Sequence, residues 1–162
     1  MIPAEEGLYF LNVMERKVQY ITGDGSYITT LSSMETLDFT FCRDAFYQLD
    51  TEGRLYRDGI LLETPLLQEL CTVDDTLYGL GENGVCTLDE AGNTALILPS
   101  SPTKLTAGED GCLYYLNEYQ YPCRWDPEKL EAVILEEIKA IAIGQTKNKV
   151  YILDFKGKLR KI

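Results

Sequence analysis

The segment GLGENG at Gly79–Gly84 matches G-x-G-x-x-G. In a dinucleotide fold such glycines let the backbone hold a pyrophosphate at a helix N-terminus. That use needs a βαβ setting, and the residues that follow, VCTLDE, read as a strand. A kinase-type glycine loop does sit in a hairpin, but no catalytic-loop signature follows it. The segment is therefore expected to be an ordinary hairpin turn. Acid pairs stand at Asp74-Asp75, Asp89-Glu90 and Glu109-Asp110. Paired carboxylates can run glycoside hydrolysis or bind Ca²⁺. Neighbours on a strand, however, point to opposite faces, and Asp is a favoured turn residue. Solvated turns are the expected reading.

The chain has no His, which removes the Ser–His and Cys–His nucleophile pairs and the commonest general base. Lys, Tyr and Glu bases stay open. Cys42, Cys71, Cys86, Cys112 and Cys123 are odd in number and lack CxxC spacing. They read as small core residues of a reduced, cytoplasmic protein rather than as a zinc site. No catalytic residue, metal ligand or cofactor is expected.

What must position these residues is a repeat. An apolar residue, Tyr, any residue and an apolar residue recur as LYFLN (Leu8–Asn12), FYQLD (Phe46–Asp50), LYGLG (Leu77–Gly81), LYYLN (Leu113–Asn117) and VYILD (Val150–Asp154). The start-to-start spacings are 38, 31, 36 and 37 residues. A second strand follows each signature across a polar turn: KVQYIT, RLYRDG, VCTLDE, YPCRWD and KLRKI. Gly53, Gly84 and Gly157 supply the conformational freedom that tight reversals need. Flanking strands precede the signature (LDFTFCR, ELCTVD, KLTAGED, AIAIGQ) and follow the hairpin (SYITTL, ILLETPLL, TALILP, EAVILE). Each full unit is thus a four-strand meander, A to D, with the signature as strand B.

Short strands at this even spacing indicate a single all-β domain over residues 1–162, and a period of four strands favours a small β-propeller of about five blades. The helical competitor is the stretch from Asp126 to Ala142, where Pro127 and Glu128 could start a helix. The repeat register instead predicts a strand at Ala132–Leu135. The first unit is expected to start near strand B and the last to stop at strand C. Unpaired edges at both ends keep open an arc that closes as a homodimer. The five Tyr at one repeat position, Tyr9, Tyr47, Tyr78, Tyr114 and Tyr151, are expected to pack between blades.

At these residues the chain resembles the broad β-propeller superfamily with YxLD-type repeats, as in quinoprotein-like and other short-repeat bacterial propellers. The resemblance covers nearly the whole chain and concerns architecture alone. There is no blade-ending WD dipeptide, Asp-box or kelch double glycine. Quinone-cofactor propellers are larger, so no cofactor is carried over.

Charge narrows the partner. With 26 acidic and 15 basic residues the formal charge is −11, which disfavours nucleic acid and anionic membrane surfaces and favours a basic protein. The N-terminus lacks a leader-like apolar run, and no run is long enough to span a bilayer. In a meander the A–B and C–D turns share one end. Asp24, Asp44, Asp58, Asp74, Asp75, Asp89, Glu90, Glu109, Asp110 and Asp126 fall there. The other end is mixed, with Arg16, Lys17, Lys104, Lys139, Lys156 and Lys158 among Glu15, Asp50, Glu52, Glu82 and Glu118. The expectation is a non-enzymatic interaction module of the bacterial cytoplasm whose acidic face docks a basic partner, by analogy of size and charge an inhibitor or immunity-type protein. One alternative is a ligand- or glycan-binding propeller, with Tyr114, Tyr115, Tyr119, Tyr121 and Trp125 as stacking surfaces. The other is an enzyme with carboxylate or Tyr chemistry.

Overall fold

The computed structural model describes residues 1–99, 102–146 and 149–162. Five antiparallel sheets follow one another along the chain. Blade 1 is β1 (Ile2–Ala4), β2 (Gly7–Asn12), β3 (Lys17–Thr22) and β4 (Ile28–Thr30). Blade 2 is β5 (Thr36–Cys42), β6 (Ala45–Asp50), β7 (Leu55–Arg57) and β8 (Ile60–Leu61). Blade 3 is β9 (Leu67–Val73), β10 (Thr76–Gly81), β11 (Gly84–Leu88) and β12 (Thr94–Leu98). Blade 4 is β13 (Lys104–Ala107), β14 (Leu113–Leu116), β15 (Pro122–Asp126) and β16 (Glu131–Ile134). Blade 5 is β17 (Ala140–Thr146), β18 (Lys149–Asp154) and β19 (Leu159–Lys161). The first strands of all five blades line one central channel. This is a five-bladed β-propeller, with the signature on the second strand of every blade.

Two expectations about the ends come out differently. Blade 1 does not start near strand B: β1 pairs with β2 as a true first strand, Ile2 opposite Tyr9 and Ala4 opposite Gly7. Three residues containing a Pro gave little strand signal, and Pro at a sheet's first strand is tolerated because it leaves no ladder bond unmade there. Blade 5 does stop at its third strand. The helical competitor is absent: β16 occupies Glu131–Ile134, paired with β15.

In blades 2, 3 and 4 the signature works by burying both faces of one strand. Side chains alternate across a strand, so Tyr and the apolar residue two places on face the following blade, while the flanking positions face the preceding one. Tyr47 and Leu49 join Leu67, Leu70 and Leu77 in the core between blades 2 and 3. Tyr78 and Leu80 join Leu113, Tyr115 and Trp125 between blades 3 and 4. Leu116 meets Ala140 and Ile152 between blades 4 and 5. Blades 1 and 2 meet through rings instead, with Tyr9 4.7 Å from Phe41 and Phe41 5.2 Å from Phe46.

The last signature residue closes the B–C turn. Asp50 Oδ1 accepts the N–H groups of Glu52 and Arg54, and Asp154 Oδ1 those of Lys156 and Lys158. Asn117 does the same for Tyr119 and Tyr121. In the first of these turns Gly53 sits at φ 84°, and a Cβ there would strike the Leu67 carbonyl of the next blade. That close approach lets the Leu67 N–H bond the Gly53 carbonyl at 2.9 Å, tying blade 2 to blade 3.

The seam between blades 5 and 1 differs from the other four. Among the described residues no hydrogen bond, ion pair or ring contact joins these two blades. Tyr151 and Leu153, whose counterparts in blade 3 are buried, are half-buried here, and Leu159 opposite Leu153 is 66% exposed. Truncation should therefore cost less at this seam. Leu80→Ala removes a fully buried side chain and is expected to cost about 2–5 kcal/mol. Leu153→Ala is expected to cost well under half of that, since part of its surface is already in water. Urea unfolding of both variants measures the pair; equal losses would mean that the last seam is as tightly packed as the inner ones.

Candidate functional site

Three regions carry polar or reactive groups: the acidic turns, the central channel and the aromatic run of blade 4. In the acidic turns the backbone explains the residue choice. Cys42 pairs Ala45, Arg57 pairs Ile60 and Val73 pairs Thr76, so each hairpin closes in two residues. Those residues lie at positive φ: Arg43 47° and Asp44 64°, Asp58 49° and Gly59 83°, Asp74 44° and Asp75 60°. Tight hairpins of this twist demand the left-handed region, which Asp and Gly tolerate. Asp44, Asp58, Asp74 and Asp75 are thus turn formers first.

Their carboxylates nonetheless stay in solvent at one end of the molecule. Asp44, Asp74 and Asp75 are exposed and form no ion pair among the described residues. Asp24 accepts from the Thr22 hydroxyl and from the Ser26 N–H and hydroxyl, which together hold its pKa down at about 2. The Asn93 side chain and backbone likewise hold Asp89 below the usual carboxylate range. Asp74 of blade 3 lies against Gly111 of blade 4, where a Cβ would come 2.7 Å from Asp74 Oδ2. The A–B turns of adjacent blades therefore make a continuous surface.

Other members of the expected face are engaged. Glu90 pairs with Arg43 at 3.5 Å and Arg57 at 3.3 Å. Asp110 pairs with Arg124 at 3.4 Å and accepts the Tyr114 hydroxyl at 2.8 Å. Glu109 accepts the Thr146 hydroxyl, and Asp58 Oδ1 accepts the Phe46 N–H. Asp126 is buried, held by Arg124 and Lys129 and by the Glu128 and Lys129 N–H groups. It belongs to the blade rather than to the surface. Glu5 and Glu6, in the β1–β2 turn, lie at the same end. They were missed because β1 was.

The aromatic run does not form one stacking surface. Tyr114, Tyr115 and Trp125 are buried in the blade. Tyr119 is exposed and Tyr121 half-buried at the opposite end, in the β14–β15 turn. The glycine motif lies in β10, its turn and β11, with Gly81 paired to Gly84. A Cβ on Gly79 would press on the Leu67 and Leu88 side chains, so that glycine serves blade packing. All five cysteines are buried free thiols, and burial pushes each pKa up. Among the described residues no cluster could hold a metal ion.

The channel, about 940 Å³, is crossed by carboxylates that clasp the inner strands together. Asp38 on β5 accepts the Leu70 N–H of β9 at 2.7 Å and its neighbour Phe39 N–H at 2.9 Å. One blade on, Glu69 accepts the Leu105 N–H of β13 and the Lys104 ammonium at 2.8 Å. The Thr40 and Thr72 hydroxyls bond across the same space at 3.1 Å. Burial raises the Asp38 pKa to about 6, against the hydrogen bonds from Leu70 and Phe39 that favour its charge.

No protein-family model matches the chain, and no curated protein sequence matches it. Solved structures do. Virginiamycin B lyase from Staphylococcus aureus superposes with a TM-score of 0.67 at 16% identity, over 100% of this chain and 68% of the lyase. YCF48 bound to D1 peptide gives 0.70 at 8% identity, over 98% of this chain and 62% of that one. BBS1N in complex with ARL6DN gives 0.65 at 15% identity, over 90% and 52%. At such identities these likenesses show the fold alone.

The Asp38 carboxyl gives a pH test. Its folded pKa of about 6 exceeds the ordinary value of 3.8, so the folded chain holds this proton more tightly than the unfolded chain. Its contribution to stability is full below about pH 4 and declines as pH rises to about 6. Asp38→Asn should remove that decline from the pH profile of the melting temperature. The variant should also lose about 1–3 kcal/mol at pH 4, because one N–H now meets an amide donor, and this gap should shrink as pH rises to about 6. A profile parallel to the wild type between pH 4 and 6 would exclude this role.

Proposed function

We propose that the chain is a non-enzymatic interaction module whose acidic end docks a basic protein, as an inhibitor or immunity-type protein masks a basic toxin or nuclease. The observation that carries this reading is the set Asp44, Asp74 and Asp75, exposed and without an ion pair among the described residues, on the A–B turns that ring the axis, in a chain of net charge −11. Such a face attracts cations over several ångströms and speeds encounter at low salt. Two structural relatives support protein binding as a use of this architecture, since one is described with D1 peptide and the other in complex with ARL6DN. The proposed setting is the bacterial cytoplasm, supported by five unpaired cysteines.

The enzyme reading draws less support. A lyase variant in which one histidine is replaced by alanine is described as catalytically inactive, and this chain contains no histidine. The glycan reading loses most of its stacking surface to the blade interior.

The test uses substitutions that the turns tolerate. Asn accepts the left-handed region as Asp does, so Asp44→Asn, Asp74→Asn and Asp75→Asn together should leave folding intact. Parallel affinity capture from the host with wild type and the triple variant should recover a basic protein with the former and lose it, at least tenfold, with the latter. Undiminished capture of the same protein by the variant would overturn the reading.

A further inference from the structure

The inner strands β5, β9 and β17 share a defect. Each carries a bulge near its start, leaving Leu37, Gln68 and Ile141 without opposite residues. Bulges re-aim side chains and concentrate beside functional sites. Here they turn Leu37 and Gln68 outward, and both residues line two spaces at once. One is the central channel, and the other is a cleft of about 880 Å³ between blades 2 and 3.

This cleft opens at the end opposite the acidic turns. Its apolar wall is Leu37, Leu66 and Leu96, which are 44%, 62% and 54% exposed. Gly81 and Gly84 line it where larger residues would narrow it. Single exposed leucines are ordinary, but a concave group of three opening on a channel mouth marks an interaction site. Among the described residues the lining contains no Lys or Arg. It contains two carboxylates: Glu52, already paired with Arg54 at 3.1 Å, and Glu82, which is exposed and among the described residues engages no ion pair or hydrogen bond.

We infer that this cleft docks a protein segment in which one or two bulky apolar side chains lie next to a Lys or Arg. The apolar group covers Leu37, Leu66 and Leu96, and the cation meets Glu82. Charge complementarity decides the occupant. An acidic segment is repelled by both Glu82 and the −11 net charge, and a purely apolar ligand leaves Glu82 desolvated without a partner. This site is independent of the acidic end and stands or falls separately from it.

Three blocked octapeptides, titrated into uniformly ¹⁵N-labelled protein, provide the test. They are Gly/Ser frames centred on Lys-Leu-Leu-Lys, Lys-Gly-Gly-Lys and Glu-Leu-Leu-Glu. The first is expected to shift the amides of Leu66, Asn83 and Leu96, and the second to touch only the acidic turns. The third should leave the cleft unshifted. Leu66→Glu, a change at an exposed position, should abolish the cleft shifts, and Glu82→Gln should weaken them at least threefold. Cleft shifts that are absent with the first peptide, equal with the second, or unchanged in Leu66→Glu would overturn the proposal.

Discussion

Blades 2, 3 and 4 each depend on a strand that is buried on both faces. A sheet with one apolar face can rest on a core and leave the other side wet, but a propeller blade has neighbours on both sides. The second strand must therefore be apolar at odd and even positions alike, and it must fill two seams with one short run. Tyr78 and Leu80 reach toward blade 4 while Leu77 reaches back toward blade 2. Tyr suits this position because its ring fills the seam and its hydroxyl can still find a polar partner near the turn, as Tyr114 does at Asp110. Where the any-residue position carries a buried polar side chain, its partner is built in: Gln48 Nε2 donates to the Thr36 hydroxyl at 2.9 Å.

Apolar filling alone does not fix the blades in register, because hydrophobic contact is not directional. Direction comes from hydrogen bonds across the seams. The Gly53 carbonyl, the Asp38 and Glu69 carboxylates and the Thr40–Thr72 pair each join one blade to the next at a defined height. These bonds cluster around blades 2, 3 and 4, which is also where burial is deepest. The seam between blades 5 and 1 has half-buried apolar side chains and no such fasteners among the described residues. Stability in this molecule is therefore graded around the ring, and local opening belongs to its terminal blades.

The repeat was legible because the signature has a strong period and a turn-forming end. Asp50, Asn117 and Asp154 recur after it for a physical reason, since each carboxylate or amide satisfies the N–H groups of the reversal. Other elements were not legible. β1 is three residues long and contains Pro3, and its stability comes from pairing with β2 rather than from its own propensity. The bulges at Leu37 and Gln68 leave no local mark, because an extra residue in a strand is defined only by the strand opposite. The cleft stayed hidden for the same reason.

The acidic end shows how a structural and a functional account can share the same atoms. Positive-φ turns select Asp, Asn and Gly without regard to charge. Asn would satisfy Asp44, Asp74 and Asp75 equally well, yet the chain uses Asp at all three, next to one another across the inner turns. Like charges on neighbouring turns repel, and turn geometry offers no compensation for that repulsion. At Asp110 and Asp126, where the blade itself needs the carboxylate, a cation stands beside it. The distinction between paired and unpaired acids therefore separates the carboxylates that serve the fold from those that the proposed basic partner would meet.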